Sequence, residues 1–137
     1  MKLIVSISVV STFAILVSSD DQTIIANTVG QKFIDYVESI LQSDDAVKAN
    51  EIYADDYELD LCGKTYNKTM VVDTLLQPAD DVEKEFRVTN GKINGAELRF
   101  TVIYEIKNQT KGYAMDYVVK NYGGDQPIIT YNNFTTC

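Results

Sequence analysis

The first part of the chain carries apolar residues at helical spacing. Residues 20–41 repeat apolar side chains at steps of three and four, which is the period of one helical face. Two aspartates at the start of this segment favour a helix N-terminus, and Asp45 can cap a second, short helix over residues 45–54. The apolar face of the first helix consists of Ile25, Val29, Phe33, Tyr36, Val37 and Ile40.

The spacing of apolar residues then changes from helical to extended. Residues 57–62 alternate apolar and polar side chains, which predicts a half-buried strand. Gly63 is expected to turn the chain. Asn67 can then cap a third helix over residues 68–77, because Pro78 cannot continue it.

The rest of the chain alternates in the manner of strands that are joined by short turns. The clearest alternation places Leu98, Phe100, Val102, Tyr104 and Ile106 on one face of a single strand. We therefore predict an α+β fold in which three helices pack on one face of a curved antiparallel sheet. The four predicted strands span residues 82–90, 97–107, 113–120 and 126–131.

The extreme N-terminus predicts export from the cell. Lys2 precedes an uncharged apolar run over residues 3–17, and small residues follow it. This is the layout of a secretory signal peptide, and the run is shorter than the ~20 apolar residues that span a bilayer. We predict cleavage after Ser19, which leaves a single domain over residues 20–137 in the extracellular space.

Composition narrows the range of partners. Cleavage would remove 19 of the 137 residues and leave 118. It would also remove one of the 12 basic residues. The remaining 11 basic and 20 acidic residues give a net charge of −9. A chain of this charge repels nucleic acid and anionic lipid, because both present phosphates. We expect no nucleic-acid partner, and no membrane contact after cleavage.

If the protein is exported, its two cysteines can form a disulfide and its three sequons can be glycosylated. In an oxidising compartment two cysteines usually pair, and the chain contains no histidine that could activate one as a nucleophile. We predict a disulfide between Cys62 and Cys137. The candidate glycosylation sites are Asn67, Asn108 and Asn133; at Asn67 a glycan would compete with the helix cap for one side chain.

The stretch IYADDYELD at residues 52–60 resembles the nuclear transport factor 2-like superfamily, whose members open their first strand in a similar way after a long and a short helix. With the signal peptide, the Cys62-Gly63 pair and the terminal cysteine, the chain is most similar to secreted nematode members. The resemblance implies a cone-shaped α+β fold whose mouth can hold a small ligand. The superfamily also includes ketosteroid isomerase, scytalone dehydratase and the polyketide cyclase SnoaL.

The residues themselves argue against an enzyme of this superfamily. The chain has no histidine to shuttle protons near neutral pH. The resemblance places the general base of ketosteroid isomerase near Leu61, which cannot take a proton, and the neighbouring Asp60 would point to the opposite face of the strand. Tyr36 resembles an oxyanion-hole tyrosine of that enzyme. An isomerase- or dehydratase-like site of Asp60 or Asp116 with a tyrosine remains an alternative.

No metal or cofactor is expected. The acidic residues between 55 and 60 do not match the spacing of a calcium loop, and two cysteines without histidine do not make a transition-metal site. The chain is rich in tyrosine instead. Aromatic side chains either pack the sheet or line a pocket for a small apolar ligand; the pocket candidates are Tyr36, Tyr57, Phe100, Tyr104, Tyr113 and Tyr117.

Two functions other than catalysis follow from this pattern. The first is a non-catalytic binding domain that holds a small apolar ligand between helices and sheet. The second is an extracellular interaction module, either monomeric or homodimeric, whose open sheet face carries Thr101, Ile103 and Glu105. On that face the chain would pair with a second copy or with another protein.

Overall fold

A computed structural model describes residues 19–75, 84–107 and 112–136 of the protein. The predicted signal peptide, Asn108 and Cys137 lie outside the described residues, apart from Ser19. Within the described ranges the chain forms helices α1 (Ser19–Gln42), α2 (Ala46–Glu51) and α3 (Lys68–Leu75). The strands are β1 (Tyr53–Leu61), β2 (Lys64–Asn67), β3 (Lys84–Asn94), β4 (Glu97–Ile106), β5 (Gly112–Lys120) and β6 (Ile128–Phe134).

The six strands form one sheet in the order β2-β1-β6-β5-β4-β3. Strands β3 to β6 pair in sequence as the predicted antiparallel meander. Strand β1 joins this meander by pairing in parallel with β6, which the sequence did not predict. Helix α1 packs across β3 and β4. We call the face of the sheet that packs on α1 the inner face, and the opposite face the outer face. The predicted α+β architecture is confirmed.

The hairpin of β1 and β2 is an addition to the predicted fold. Its turn is formed by Cys62 and Gly63, whose φ angles are 52° and 87°. Two successive positive φ angles characterise the type I′ turns that match the twist of a hairpin. Strand β2 escaped prediction because it has four residues, three of them exposed, and therefore shows no alternation of apolar side chains.

The helical period predicted for α1 is correct, but the buried face is rotated about the helix axis relative to the predicted one. Phe33, Val37 and Ile40 are buried as predicted, whereas Ile25 and Tyr36 are 55% and 46% exposed. The buried stripe instead includes small residues, which a search for large apolar side chains overlooks.

Small residues let α1 approach the sheet closely. Ala26 is fully buried, and a Cβ added to Gly30 would lie 2.9 Å from Cγ1 of Val88. Near the bulge in β3, the backbone N–H of Gly91 donates to Oδ1 of Asn27 at 2.7 Å. These contacts fasten α1 to the edge strand β3.

Both predicted helix caps are confirmed. Oδ1 of Asp45 accepts a hydrogen bond from the backbone N–H of Lys48 at 3.1 Å, and Oδ1 of Asn67 accepts from that of Met70 at 3.0 Å. An N-linked glycan would attach to Nδ2 of Asn67 and leave Oδ1 able to accept. The expected competition between cap and glycan was therefore wrong.

Helix α2 is shorter than predicted, and this matters for the site. It ends at Glu51, and Tyr53 is already the first residue of β1. The core lies between α1 and the inner face, where Leu98, Val102 and Ile129 have essentially no exposed surface. No helix among the described residues has the length and apolar composition that crossing a membrane requires.

Candidate functional site

Four tyrosines gather on the inner face, and we call them the tyrosine cluster. Tyr53 and Tyr57 come from β1, Tyr104 from β4 and Tyr117 from β5. Tyr104 is half-buried and the other three are buried. Because the strands alternate, each of these side chains stands on the face that meets the helices. The curvature of the sheet brings them together although β1 and β4 are not neighbours.

The hydroxyl groups of the cluster are linked in two pairs. The Tyr57 hydroxyl donates to Oδ1 of Asn132 at 2.5 Å, and Nδ2 of Asn132 donates to the backbone carbonyl of Asp116 at 3.1 Å. Asn132 is only 2% exposed. The Tyr104 and Tyr117 hydroxyls lie 2.5 Å apart. One of these two donates, so the other keeps its own proton available for a further acceptor.

Ring contacts hold the cluster in place. The rings of Phe100 and Tyr117 are stacked with centroids 5.2 Å apart, and that of Tyr104 meets Phe86 edge-on at 5.0 Å. Tyr53 and Tyr57 also meet edge-on, at 4.8 Å. Offset-stacked and edge-on geometries are the favoured arrangements of aromatic pairs.

Burial keeps the cluster hydroxyls protonated. Loss of solvent is the largest cause that raises the pKa of each of the four tyrosines. The charge of Glu38, half-buried on α1, adds to the rise in the pKa of Tyr53, Tyr104 and Tyr117. At neutral pH these groups therefore act as hydrogen-bond donors and not as phenolate bases.

The side chains of the inner face are only half-buried where β4 ends and β5 begins. We call this region the open end. Tyr113 is 39% exposed there, and its ring centroid lies 5.9 Å from that of Phe134. Partly exposed apolar side chains on a concave surface are typical of ligand sites. The half-buried members of the open end are Leu59, Leu61, Phe86, Tyr104, Met115 and Phe134.

The structure brings together most of the pocket candidates that the sequence suggested. Tyr57, Tyr104 and Tyr117 belong to the tyrosine cluster, Phe100 stacks on Tyr117, and Tyr113 borders the open end. Tyr36 is different. It lies on α1 with 46% of its surface exposed, and we leave it out of the site.

Three residues of the site were missed from the sequence. Tyr53 lies four residues before Tyr57, an even spacing that puts both on one face of a strand, but it was assigned to a helix. Asn132 follows the predicted end of the last strand. Glu38 is a polar residue on the flank of the predicted apolar face of α1.

The acidic residues considered for catalysis lie on the other side of the sheet. Asp116 accepts a hydrogen bond from the Thr101 hydroxyl at 2.7 Å on the outer face, and Asp60 accepts from the Gly63 backbone N–H at 3.2 Å. Neither carboxylate faces Tyr104, so the predicted pair of Asp60 or Asp116 with a tyrosine is not assembled; the acid near the tyrosine cluster is Glu38 instead. The described residues contain no group of three His, Cys, Asp or Glu side chains that could hold a metal ion.

A long helix packed into a curved six-stranded sheet, with the tyrosine cluster on the inner face, defines a cone-shaped α+β fold. The family model of the NTF2-like domain matches residues 27–137, so the chain belongs to the NTF2-like domain family. This confirms the superfamily that residues 52–60 indicated. No curated protein matches the chain.

Solved structures show the same fold at low sequence identity. A protein from Shewanella frigidimarina proposed to be a ketosteroid isomerase is 12% identical, with a TM-score of 0.59 over 80% of this chain and 94% of that one. An NTF2-like protein of unknown function from Shewanella oneidensis is 14% identical, with a TM-score of 0.59 over 78% and 96%. A de novo designed protein with a curved β-sheet is 13% identical, with a TM-score of 0.55 over 77% and 95%.

Proposed function

We propose that this protein is a secreted, non-catalytic binding domain that holds a small apolar ligand carrying one oxygen acceptor. The ligand lies between the helices and the inner face, at the open end. The observation that carries the proposal is the pairing of half-buried apolar side chains with a protonated hydroxyl pair, Tyr104 and Tyr117, at one place on a concave surface.

The two parts of the site have different roles in recognition. The apolar body of the ligand packs against Phe86, Met115 and Phe134, which gain burial when it binds. The ligand oxygen accepts the proton that the Tyr104–Tyr117 pair does not use internally. Such a hydrogen bond fixes orientation and contributes about 1 kcal/mol.

Binding without turnover is favoured by the chemistry of the cluster. Tyrosines with raised pKa values do not abstract protons near neutral pH. Asp60 and Asp116 are directed away from the ligand, and Glu38 lies near tyrosines that stay protonated. The chain has no histidine to complete an acid–base pair. The ligand is therefore retained and not transformed.

An apolar dye tests the site directly. Nile red, a neutral apolar dye with a carbonyl oxygen, is expected to bind one molecule per chain with a rise in fluorescence. Met115→Glu places a charge at the open end and should abolish binding. Tyr104→Phe removes one hydroxyl and should weaken binding about fivefold, which corresponds to about 1 kcal/mol.

Val118→Glu is the matched control for the dye experiment. Val118 lies on the same strand, is also half-buried, and pairs with Arg99 on the outer face. This variant should bind Nile red as the unchanged protein does. Equal losses in the Met115 and Val118 variants, or no saturable binding at all, would contradict the proposed site.

Secretion is part of the proposal. It is supported by the basic start, the short apolar run and the small residues within residues 1–19. A ligand carrier of this kind would act outside the cell on molecules that water dissolves poorly.

A disulfide between Cys62 and Cys137 belongs to the same proposal. Cys62 takes the first position of the type I′ turn with φ of 52°, where Asn, Asp or Gly is the usual residue. Leu61 lies beside Phe134 in the parallel pairing of β1 and β6, so the chain leaves β6 close to this turn. Cys62 is not free in the described part of the chain.

Thiol labelling tests the disulfide. Protein secreted from eukaryotic cells is denatured without reductant and treated with iodoacetamide. We expect no label before reduction and two labels after it, because both sulfur atoms are engaged with each other. Labelling of unreduced protein would contradict the pairing.

The outer face gives less support to the alternative of a protein-interaction module. The Thr101 hydroxyl is used by Asp116, and Glu105 lies 3.7 Å from the guanidinium of Arg87. Ile103 is half-buried between these groups. A protein partner on this face would have to compete with these contacts within the sheet.

A further inference from the structure

We infer that Asn133 carries an N-linked glycan whose first sugar packs against Tyr131 on the outer face of the sheet. The inference rests on the proposed secretion but not on ligand binding. It connects the sequon at Asn133 with an aromatic ring on the outer face of the sheet.

Strand β6 places Asn133 on the outer face. Its neighbour Asn132 is buried on the inner face at 2% exposure, and successive strand residues point to opposite faces. Asn133 pairs with Asp116 in the strand register, and the Asp116 side chain makes its hydrogen bond on the outer face. The Asn133 side chain is half-buried there.

Tyr131 lies on the same side of β6 as Asn133. Residues two apart on a strand share a face and lie about 7 Å from each other. The Tyr131 ring is half-buried and belongs to the outer face, since it pairs with Val118. A sugar attached at Asn133 therefore starts next to an aromatic ring, whose face packs well against the C–H groups of a sugar.

The neighbouring strands supply polar partners for the sugar. Asp116 and Asp60 stand on either side of Asn133 in the pairing register. An ionised carboxylate has about four acceptor positions, so each can accept bonds from sugar hydroxyls in addition to its present partner. The site thus offers a ring for the apolar side of the sugar and acceptors for its hydroxyls.

The attachment reaction precedes docking of β6. Nδ2 of Asn133 forms a bond to the anomeric carbon of an oligosaccharide held on a lipid diphosphate. The bond from that carbon to the diphosphate breaks, the lipid diphosphate leaves with the electron pair of that bond, and the proton lost by the nitrogen passes to solvent. In the folded protein the Thr135 hydroxyl of the sequon donates to the Ala114 carbonyl at 3.0 Å, so the transfer takes place while this segment is still extended and unpaired.

The test uses protein secreted from eukaryotic cells in which Asn133 is the only sequon. Thr69→Ala and Thr110→Ala remove the other two sequons and keep Asn67 as a helix cap. Intact mass should show one glycan, which Asn133→Gln removes. The glycosylated form should melt a few degrees higher than the Asn133→Gln form, because the sugar covers the Tyr131 ring.

Variants of Tyr131 separate packing from mere attachment. The difference in melting temperature should vanish in Tyr131→Ser and persist in Tyr131→Phe, which keeps the ring. Trimming the glycan to its first sugar with an endoglycosidase should also leave the difference intact, and this measurement needs no change at Tyr131. An equal difference in the Ser variant, or its loss on trimming, would overturn the packing.

Two further results would overturn the inference. A secreted chain without a glycan at Asn133 overturns this inference and leaves the ligand proposal standing, since Nile red binding is measured independently of glycosylation. A chain that never enters the secretory pathway overturns both the inference and the proposed secretion.

Discussion

Above about pH 10 the folded protein is expected to lose stability steeply. Tyrosine ordinarily ionises near pH 10, but burial raises the pKa of Tyr53, Tyr57, Tyr104 and Tyr117 in the folded state. Below pH 10 both states keep these protons, and the stabilisation is fully present. As the pH rises further, the unfolded chain releases protons that the folded one retains, so unfolding becomes favourable.

The expected slope is large because four groups act together. Each contributes about 1.4 kcal/mol per pH unit, so the four lower the free energy of unfolding by roughly 5 kcal/mol per unit. A domain of ordinary stability, about 5–15 kcal/mol, would unfold within roughly one to three units. The measurement follows tyrosinate absorbance and far-ultraviolet circular dichroism together as the pH is raised.

Single substitutions check the origin of the alkaline transition. Tyr104→Phe and Tyr117→Phe each remove one ionising group and should lower the slope by about a quarter, from the same count. The share of the tyrosinate absorbance that comes from the four cluster tyrosines, out of nine in the chain, should rise in step with the loss of ellipticity. If all the tyrosines ionised while the circular dichroism stayed unchanged, the cluster would not be buried as described.

Replacement of Asn132 by alanine is expected to destabilise the protein by about 3 kcal/mol. The change leaves the Tyr57 hydroxyl and the Asp116 carbonyl without their partner, and an unsatisfied buried polar group costs about 1–3 kcal/mol. Urea denaturation of bacterially produced, unglycosylated protein measures the loss.

The adjacent residue provides the control for Asn132. Asn133→Ala removes the same side chain one position further on, from the outer face, and should change stability by no more than about 0.5 kcal/mol. Tyr57→Phe combined with Asn132→Ala should be less harmful than the sum of the single changes, since both break one hydrogen bond. Equal effects at positions 132 and 133 would show that the buried hydrogen bonds contribute little.

The sequence predicted those parts of the fold whose apolar pattern is strong. Strand β4 alternates without a break and was placed almost to the residue. Helix α1 was placed well too, but its buried face was not, because Ala26 and Gly30 matter for close approach and not for hydrophobicity. Strand β6 was cut short because Asn132 and Asn133 are polar, although the sheet continues to Phe134.

The site was predictable to the extent that it uses aromatic residues on regular strands. Tyr104 and Tyr117 were found in this way. Asn132 could not be found, because a polar residue signals burial only when its partners are known, and Tyr57 lies 75 residues away. Asp60 and Asp116 were considered as catalytic acids because of their side chains. The strand register places both on the outer face.

The parallel pairing of β1 with β6 has a consequence for the order of folding. Strand β1 pairs with β2, which follows at once, and with β6, the last of the described strands, so a ribosome completes β1 long before this second partner exists. Contacts between distant segments slow folding, because the intervening loop must close first. Until β6 arrives, the unpaired edge of β1 is open to other chains. We expect the nascent first half to need protection by chaperones, and the sheet to close only after β6 has been made.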